Sequence, residues 1–249
     1  MRILGIDTAA TTASVALIED DQLLAEKFYN KSSEASENLT IQVKGNHAEI
    51  VLPLIQAVLD HSKFSLSDLN GIAVSIGPGS FTGLRIALAT VKGIAYELGL
   101  PVVGISTLHA QAARVTDSDR LICALLDARK QEVYAALFRR VKGTLMRLSD
   151  DGVMSVTNAI ELIQSTQQNE SCIAIGDGAN AYKKVLLDAL GPALQIAEDG
   201  AYSTVAYRVA DLARARIGAA TMDDLGGLTP LYLRPSEAQS RSGLAALTC

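Results

Sequence analysis

Residues 75–85, Ser75-Ile76-Gly77-Pro78-Gly79-Ser80-Phe81-Thr82-Gly83-Leu84-Arg85, constrain the fold of this chain more than any other stretch. The apolar residues Ile72, Ala73 and Val74 ahead of it read as a buried strand, and a helical pattern follows it through about Leu98. Gly77 and Gly79 flank Pro78, which predicts a sharp turn where side chains would be in the way. Ser80 stands where an N-cap hydroxyl meets the unpaired N–H groups of a first helical turn. A strand, a glycine turn and an open helix N-terminus make a natural anion site. The spacing Gly77-x-Gly79-x-x-x-Gly83 is nonetheless one residue too long for the dinucleotide-binding turn, and no Gly-Lys-Ser/Thr follows for a P-loop.

The surrounding pattern predicts an α/β lobe. Residues 2–7, 13–19 and 23–28 read as three strands, with Asp20-Asp21 as the turn between the last two. Residues 30–45 are polar and read as a surface loop. Residues 47–61 carry Ile50, Val51, Leu54, Ile55, Val58 and Leu59 at helical spacing, and Pro53 either kinks that helix or marks its first turn. Strand 72–76, helix 81–98 and strand 102–105 complete a ribonuclease-H-like arrangement. The second half repeats the grammar. Ile122-Cys123-Ala124-Leu125-Leu126-Asp127 mirrors residues 3–7, Val133-Tyr134-Ala135-Ala136-Leu137 answers Val15-Ala16-Leu17, and Ile173-Ala174-Ile175-Gly176-Asp177-Gly178 answers residues 72–77. The expectation is a duplicated α/β fold. A first lobe spans 1–108 and a second, smaller lobe 109–202. A helix within 203–219 packs back on the first lobe, and a tail over 220–249 is extended at 228–235.

Composition narrows the class of protein. The chain has 249 residues, 49% of them hydrophobic and 20% charged, as in ordinary globular domains. Its formal net charge of −5, spread without long runs, argues against a nucleic-acid track supplied by this chain alone. The basic groups Arg129-Lys130 and Arg139-Arg140-x-Lys142 read as a turn and solvated strand ends. Cys123, Cys172 and Cys249 are widely spaced, with no C-x-x-C, and read as reduced thiols rather than a disulfide or zinc set. The N-terminus runs directly into a strand, and no stretch approaches the ~18 apolar residues of a membrane span. The expected location is cytoplasmic, away from membranes.

Asp7-Thr8 at one strand end, with Asp127 at its counterpart, suits a cleft between two lobes. Carboxylates there either hold Mg²⁺ through water while backbone N–H groups take phosphates, or merely cap turns. Asp7, Thr8, Gly77, Gly79, Ser80 and Asp127 are thus the candidate residues of a vestigial nucleotide site. The short turn Gly176-Asp177-Gly178 and the lack of a lysine in either glycine turn argue against a working ATPase. His47, His61 and His109 form no zinc-protease pair, and Ser80 lies outside a Gly-x-Ser-x-Gly elbow, so no catalytic or metal residue is assigned. The helix after the glycine turn is apolar on nearly two sides. Leu84, Leu88, Val91, Ala95 and Leu98 face the sheet, while Gly83, Ile86, Ala87, Thr90, Gly93 and Ile94 form a second side. Either a neighbouring helix of the chain or a second subunit covers that side.

Five segments together resemble the bacterial TsaB (YeaZ) family over nearly the whole length. They are Ile6-Asp7-Thr8-Ala9, the run from Gly77 to Arg85, Gly104-Ile105-Ser106-Thr107-Leu108, Asp127-Ala128-Arg129-x-x-Glu132-Val133-Tyr134, and Pro230-x-Tyr232-Leu233-Arg234. The resemblance implies two lobes of the actin/Hsp70/sugar-kinase class, the second reduced. It also implies a role in making N6-threonylcarbamoyladenosine at position 37 of tRNAs that read codons beginning with A. In that pathway TsaC or Sua5 makes threonylcarbamoyl-AMP, the paralogue TsaD transfers the group, and the ATPase TsaE sustains turnover. The family member is implied to be the non-catalytic partner of TsaD, able also to pair with itself, with ATP, Mg²⁺ and tRNA reaching it through the complex. An ATP-hydrolysing enzyme of the sugar-kinase type using Asp7 and Asp127 is the alternative. The metal-binding His-x-x-x-His of the catalytic paralogue falls here on Thr107 and Gln111, with His109 between them. The implied partner surface lies on helices 47–59 and 81–98, at His47, Ile50, Leu54, Gly83, Ile86, Ala87, Thr90, Gly93 and Ile94.

Overall fold

Near-continuous apolar runs, buried on both faces, build the first sheet. In the computed structural model, which describes residues 1–30, 47–116, 118–167, 170–198 and 203–234, β1 (Arg2–Asp7), β2 (Thr12–Glu19) and β3 (Gln22–Asn30) form an antiparallel meander. Helix α1 (His47–Ser62) leads to β4 (Gly71–Gly77), α2 (Phe81–Leu98) and β5 (Val102–Ser106). β4 and β5 join β1 in parallel, giving the strand order β3-β2-β1-β4-β5. Leu4, Ile6, Val15, Leu17, Ile72 and Val74 point to one face and meet α1 and α2. Ile3, Ile18, Ala73 and Val103 point to the other and meet Val209, Ala210 and Ala213 of α7 (Val205–Gly218). The late helix therefore packs on the first sheet.

Pro53 is the seventh residue of α1, well inside it rather than in its first turn. Its ring nitrogen has no N–H to donate to the helix ladder. Burial of all six periodic residues, Ile50, Val51, Leu54, Ile55, Val58 and Leu59, outweighs that loss.

The second sheet repeats the first. β6 (Leu121–Asp127) pairs antiparallel with β7 (Glu132–Val141) and parallel with β10 (Cys172–Ile175), and β10 pairs in turn with β11 (Leu194–Ile196). β8 (Thr144–Arg147) and β9 (Gly152–Ser155) share the outer edge of β7. The order β8-β7-β6-β10-β11 matches the first lobe strand for strand, so the three repeated segments read from the sequence occupy equivalent places. The lobe is reduced: β8 to β11 have only three or four residues each. Helices α4 (Val156–Gln167), α5 (Asp177–Ala181) and α6 (Lys183–Leu190) complete it. α4 and α6 cover one face of the sheet. α3 (Thr107–Ala113) covers the other through Leu108 and Ala112, and Ala110 joins the core beneath α7. α3 is thus the wedge between the lobes.

Arg129 and Lys130 lie in the β6–β7 turn and Arg139 and Arg140 on β7, a turn and a strand end as the sequence suggested. Cys123 and Cys172 are buried and form no disulfide, whereas Cys249 and nearly all of the 30–45 loop fall outside the described residues. No helix among the described residues is long and apolar enough to cross a membrane.

Candidate functional site

The ends of β1 and β4 meet the start of α2. Asp7, the last residue of β1, is 2% exposed, and its Oδ1 accepts the Ala9 N–H at 3.4 Å. Burial pushes its carboxyl from 3.8 up to about 6, and the Asp177 charge adds to the rise. The Ala9 N–H and the Arg114 guanidinium pull the other way. So does the buried Ser75 hydroxyl, although it falls short of a well-aligned hydrogen bond. Thr8 Oγ1 donates to the Gly83 carbonyl at 2.8 Å, tying β1 to the first turn of α2. Ser80 caps that helix, its hydroxyl accepting the Gly83 N–H at 3.2 Å.

The glycine turn brings the expected residues together but leaves no phosphate cradle. Ser80 N–H, which an anion would need, donates instead to the Ala9 carbonyl at 2.6 Å. A Cβ on Gly79 would stand 2.3 Å from that same oxygen, so the glycine admits the β1–β2 turn rather than a ligand. Gly77, with φ +115°, likewise abuts the Leu231 carbonyl. The candidate phosphate residues Gly77, Gly79 and Ser80 are therefore spent on chain-to-chain contacts.

The second lobe behaves in the same way. Asp127 Oδ1 accepts the Arg129 N–H at 2.8 Å and the Tyr182 hydroxyl at 3.3 Å, and its carboxylate pairs with the Arg129 guanidinium. The Asp127 N–H donates to Asp177 Oδ1 at 3.0 Å. Gly176 has φ +110°, and a Cβ there would lie 2.3 Å from the Leu125 carbonyl. The second glycine turn is pressed against β6, and Asp127 caps the β6–β7 turn. These residues do not fit a nucleotide with its metal. A cavity of about 540 Å³ opens beside the β6–β7 turn, lined by second-lobe residues including Lys130, Ser155, Thr157 and Tyr182.

Thr107 and Gln111 are buried between the lobes, and Gln111 accepts a hydrogen bond from Arg114 at 2.9 Å. His109 stacks on Phe138 with ring centroids 5.5 Å apart, and burial and the nearby Arg147 lower its pKa. Among the described residues no group of three or more His, Cys, Asp or Glu side chains could hold a metal.

The implied partner surface divides in two. Ile50, Leu54 and Ala87 are 0% exposed, and Gly83 is buried as well. These four lie in the chain's own core because α1 packs directly beside α2, so they correct the sequence expectation. Leu98, assigned to the buried stripe, is 39% exposed at the end of the helix. Ile86, Thr90 and Ile94 are half-buried, while Ala89 and Gly93 are exposed, and among the described residues nothing lies within 4 Å of a Cβ placed on Gly93. His47 opens α1, and its side chain lies outside the described residues.

Arg85, Lys92 and Tyr232 were not assigned a role from spacing. Arg85 Nε donates to the Tyr232 hydroxyl at 2.8 Å, and Lys92 Nζ donates to the Gly226 carbonyl at 3.0 Å. A segment about 140 residues downstream thus lies along α2. Only the motif Pro230-x-Tyr232-Leu233-Arg234 marked it in the sequence.

Two duplicated ribonuclease-H-like lobes with a cleft between their strand ends define the actin/Hsp70/sugar-kinase class. A hexokinase of the ROK family from Thermus thermophilus shares this fold with a TM-score of 0.50 and 12% identity, over 88% of this chain and 100% of that one. YeaZ from Pseudomonas aeruginosa superposes with a TM-score of 0.72 at 23% identity, over 93% of this chain and 99% of its own. The tRNA threonylcarbamoyladenosine biosynthesis protein TsaB of Bacillus subtilis is 28% identical over 97% of both chains. A family model described as TsaD, tRNA N6-adenosine threonylcarbamoyltransferase, matches residues 40–240. The chain belongs to this family, on its TsaB (YeaZ) branch.

Proposed function

We propose that this chain is a scaffold subunit in the biosynthesis of N6-threonylcarbamoyladenosine on tRNA, binding TsaD through the outer side of α2 and working with TsaE. The threonylcarbamoyl-AMP comes from TsaC or Sua5, and tRNA, ATP and Mg²⁺ are engaged through the complex. A homodimer of the free chain would use the same side of α2. The relatives named TsaB support the pathway. Gly93 is the observation that carries the docking surface. A glycine inside a helix costs roughly 0.5–1 kcal/mol relative to alanine. Among the described residues nothing repays that cost, since none comes within 4 Å of a Cβ placed on Gly93. With Ala89 one turn before it, Gly93 lets a partner helix approach closely, and Ile86, Thr90 and Ile94 flank the contact with half-exposed surface.

Co-purification with the cognate TsaD tests this reading. Ala89→Glu and Thr90→Glu place charge on the exposed side and should abolish the complex while leaving the chain folded. TsaD retained at wild-type level by both variants would refute the surface. Threonylcarbamoylation of tRNA by TsaD and TsaE should require the wild-type chain and fail with either variant.

A further inference from the structure

The segment after α7 runs from the far edge of the first sheet to the second lobe. Asp223 Oδ2 accepts the Gly104 N–H at 2.7 Å at the β5 edge, and Leu228 is buried against the first core. The Leu231 N–H donates to the Ile76 carbonyl at 2.7 Å, extending β4 outward at its glycine end. Tyr232 stacks on Phe81 with centroids 5.0 Å apart, and the Arg85 guanidinium lies 3.8 Å above the Phe81 ring. Two residues later the chain has changed lobes. Arg234 donates to the Ala128 carbonyl at 3.1 Å and pairs with Glu132, on the two sides of the β6–β7 turn.

That turn is an unusual place to be gripped. Arg129, Lys130 and Gln131 all have positive φ, at 63°, 53° and 60°. Three consecutive non-glycine residues in the left-handed region persist only where surrounding contacts over-determine them. Lobes joined by short connections otherwise move relative to one another. On the far side of the cleft mouth, Ser106 of β5 bonds Asp151 of the second lobe at 2.6 Å.

We infer that residues 223–234 form a clasp that crosses the cleft mouth and fixes the two lobes at one opening, with Tyr232 its anchor on the first lobe and Arg234 its catch on the second. The clasp holds the strained turn in place and keeps chain across the glycine turn at Gly77. It makes the two lobes a single rigid support behind α2.

Hydrogen exchange on the full chain tests the clasp with two substitutions at its opposite ends, Tyr232→Ala and Arg234→Ala. Both side chains are partly exposed, so each variant retains its core. If the clasp joins the lobes, the two variants share one pattern. Amides 128–132 in the second lobe and 79–83 in the first exchange at least tenfold faster in both, while amides at the centre of α2 keep wild-type protection. A pattern in which each variant loosens only the residues at its own end, or neither changes the turn on the opposite lobe, overturns the inference. Should one variant fail to fold, the other decides alone, because each must loosen the lobe it does not touch.

Discussion

Thr8 and Gly83, 75 residues apart, are joined by a buried hydrogen bond of 2.8 Å from hydroxyl to carbonyl. The bond passes from the last turn-forming residues of β1 into the opening turn of α2, and Ser80 N–H to Ala9 carbonyl runs beside it. The polar groups of the glycine turn are thus paired between two elements of one lobe.

Thr8→Val keeps the shape of the side chain and deletes this bond. A buried hydrogen bond contributes about 1–2 kcal/mol, most of it the cost of stranding the partner. The variant should lose about that much stability in urea unfolding, with an unchanged m value. An unaltered midpoint would show that this bond carries no load.

Asp7 makes the native chain sensitive to mild acid in the direction opposite to most carboxylates. Its folded-state pKa of about 6 lies above the ordinary 3.8, so between those values the native chain keeps a proton that the unfolded chain has released. Its contribution to stability therefore falls as pH rises from about 4 to 6, and above that the buried charge costs about 3 kcal/mol. Asp7→Asn cannot ionise and can still accept the Ala9 N–H. It should match the wild type near pH 4 and exceed it by up to about 3 kcal/mol at pH 7.5, measured as urea midpoints at both values. Parallel pH profiles for the two proteins would exclude a buried, titrating Asp7.

Gly176→Ala tests the closed second turn. The substitution demands an L-residue at φ +110° with its Cβ 2.3 Å from the Leu125 carbonyl, a backbone atom held in β6 that cannot rotate away. Strain and overpacking together should cost about 3 kcal/mol or more. Thermal unfolding of the second lobe should move accordingly, and a variant as stable as wild type would mean the turn is looser than drawn.

Much of this architecture was legible in the sequence because its signals are local. Apolar runs over residues 2–7 and 13–19, six periodic residues in α1, and the serine cap with its glycine turn each encode one element without help from the rest. The duplicated strand ending in aspartate, at Asp7 and Asp127, supplied the two-lobe topology. Legibility failed where tertiary partners decide. α2 shows an apolar second side, but only packing reveals that Ala87 leans on α1 while Gly93 faces solvent. The glycines announced a tight backbone approach, and no spacing rule says whether a phosphate or the Ala9 carbonyl makes it. β8, β9 and β11 are too short for periodicity to register. α4 carries a helical pattern in Val156, Ala159, Ile160 and Ile163, a weaker signal than the repeated strands around it.

Position 93 separates stability from docking. Gly93 is exposed, inside α2, and unopposed within 4 Å, so Gly93→Ala should stabilise the isolated chain by about 0.5–1 kcal/mol through helix propensity. The added methyl stands on the side of the helix assigned to TsaD, where it holds a partner backbone away. Affinity for TsaD should therefore fall while the melting temperature rises, a pair of opposite changes that ordinary destabilisation cannot produce. Calorimetric titration of TsaD with the variant, set beside its thermal unfolding alone, measures both. Higher stability with undiminished affinity would move the contact off this side of α2, and lower stability would mean that Gly93 is needed by the chain itself.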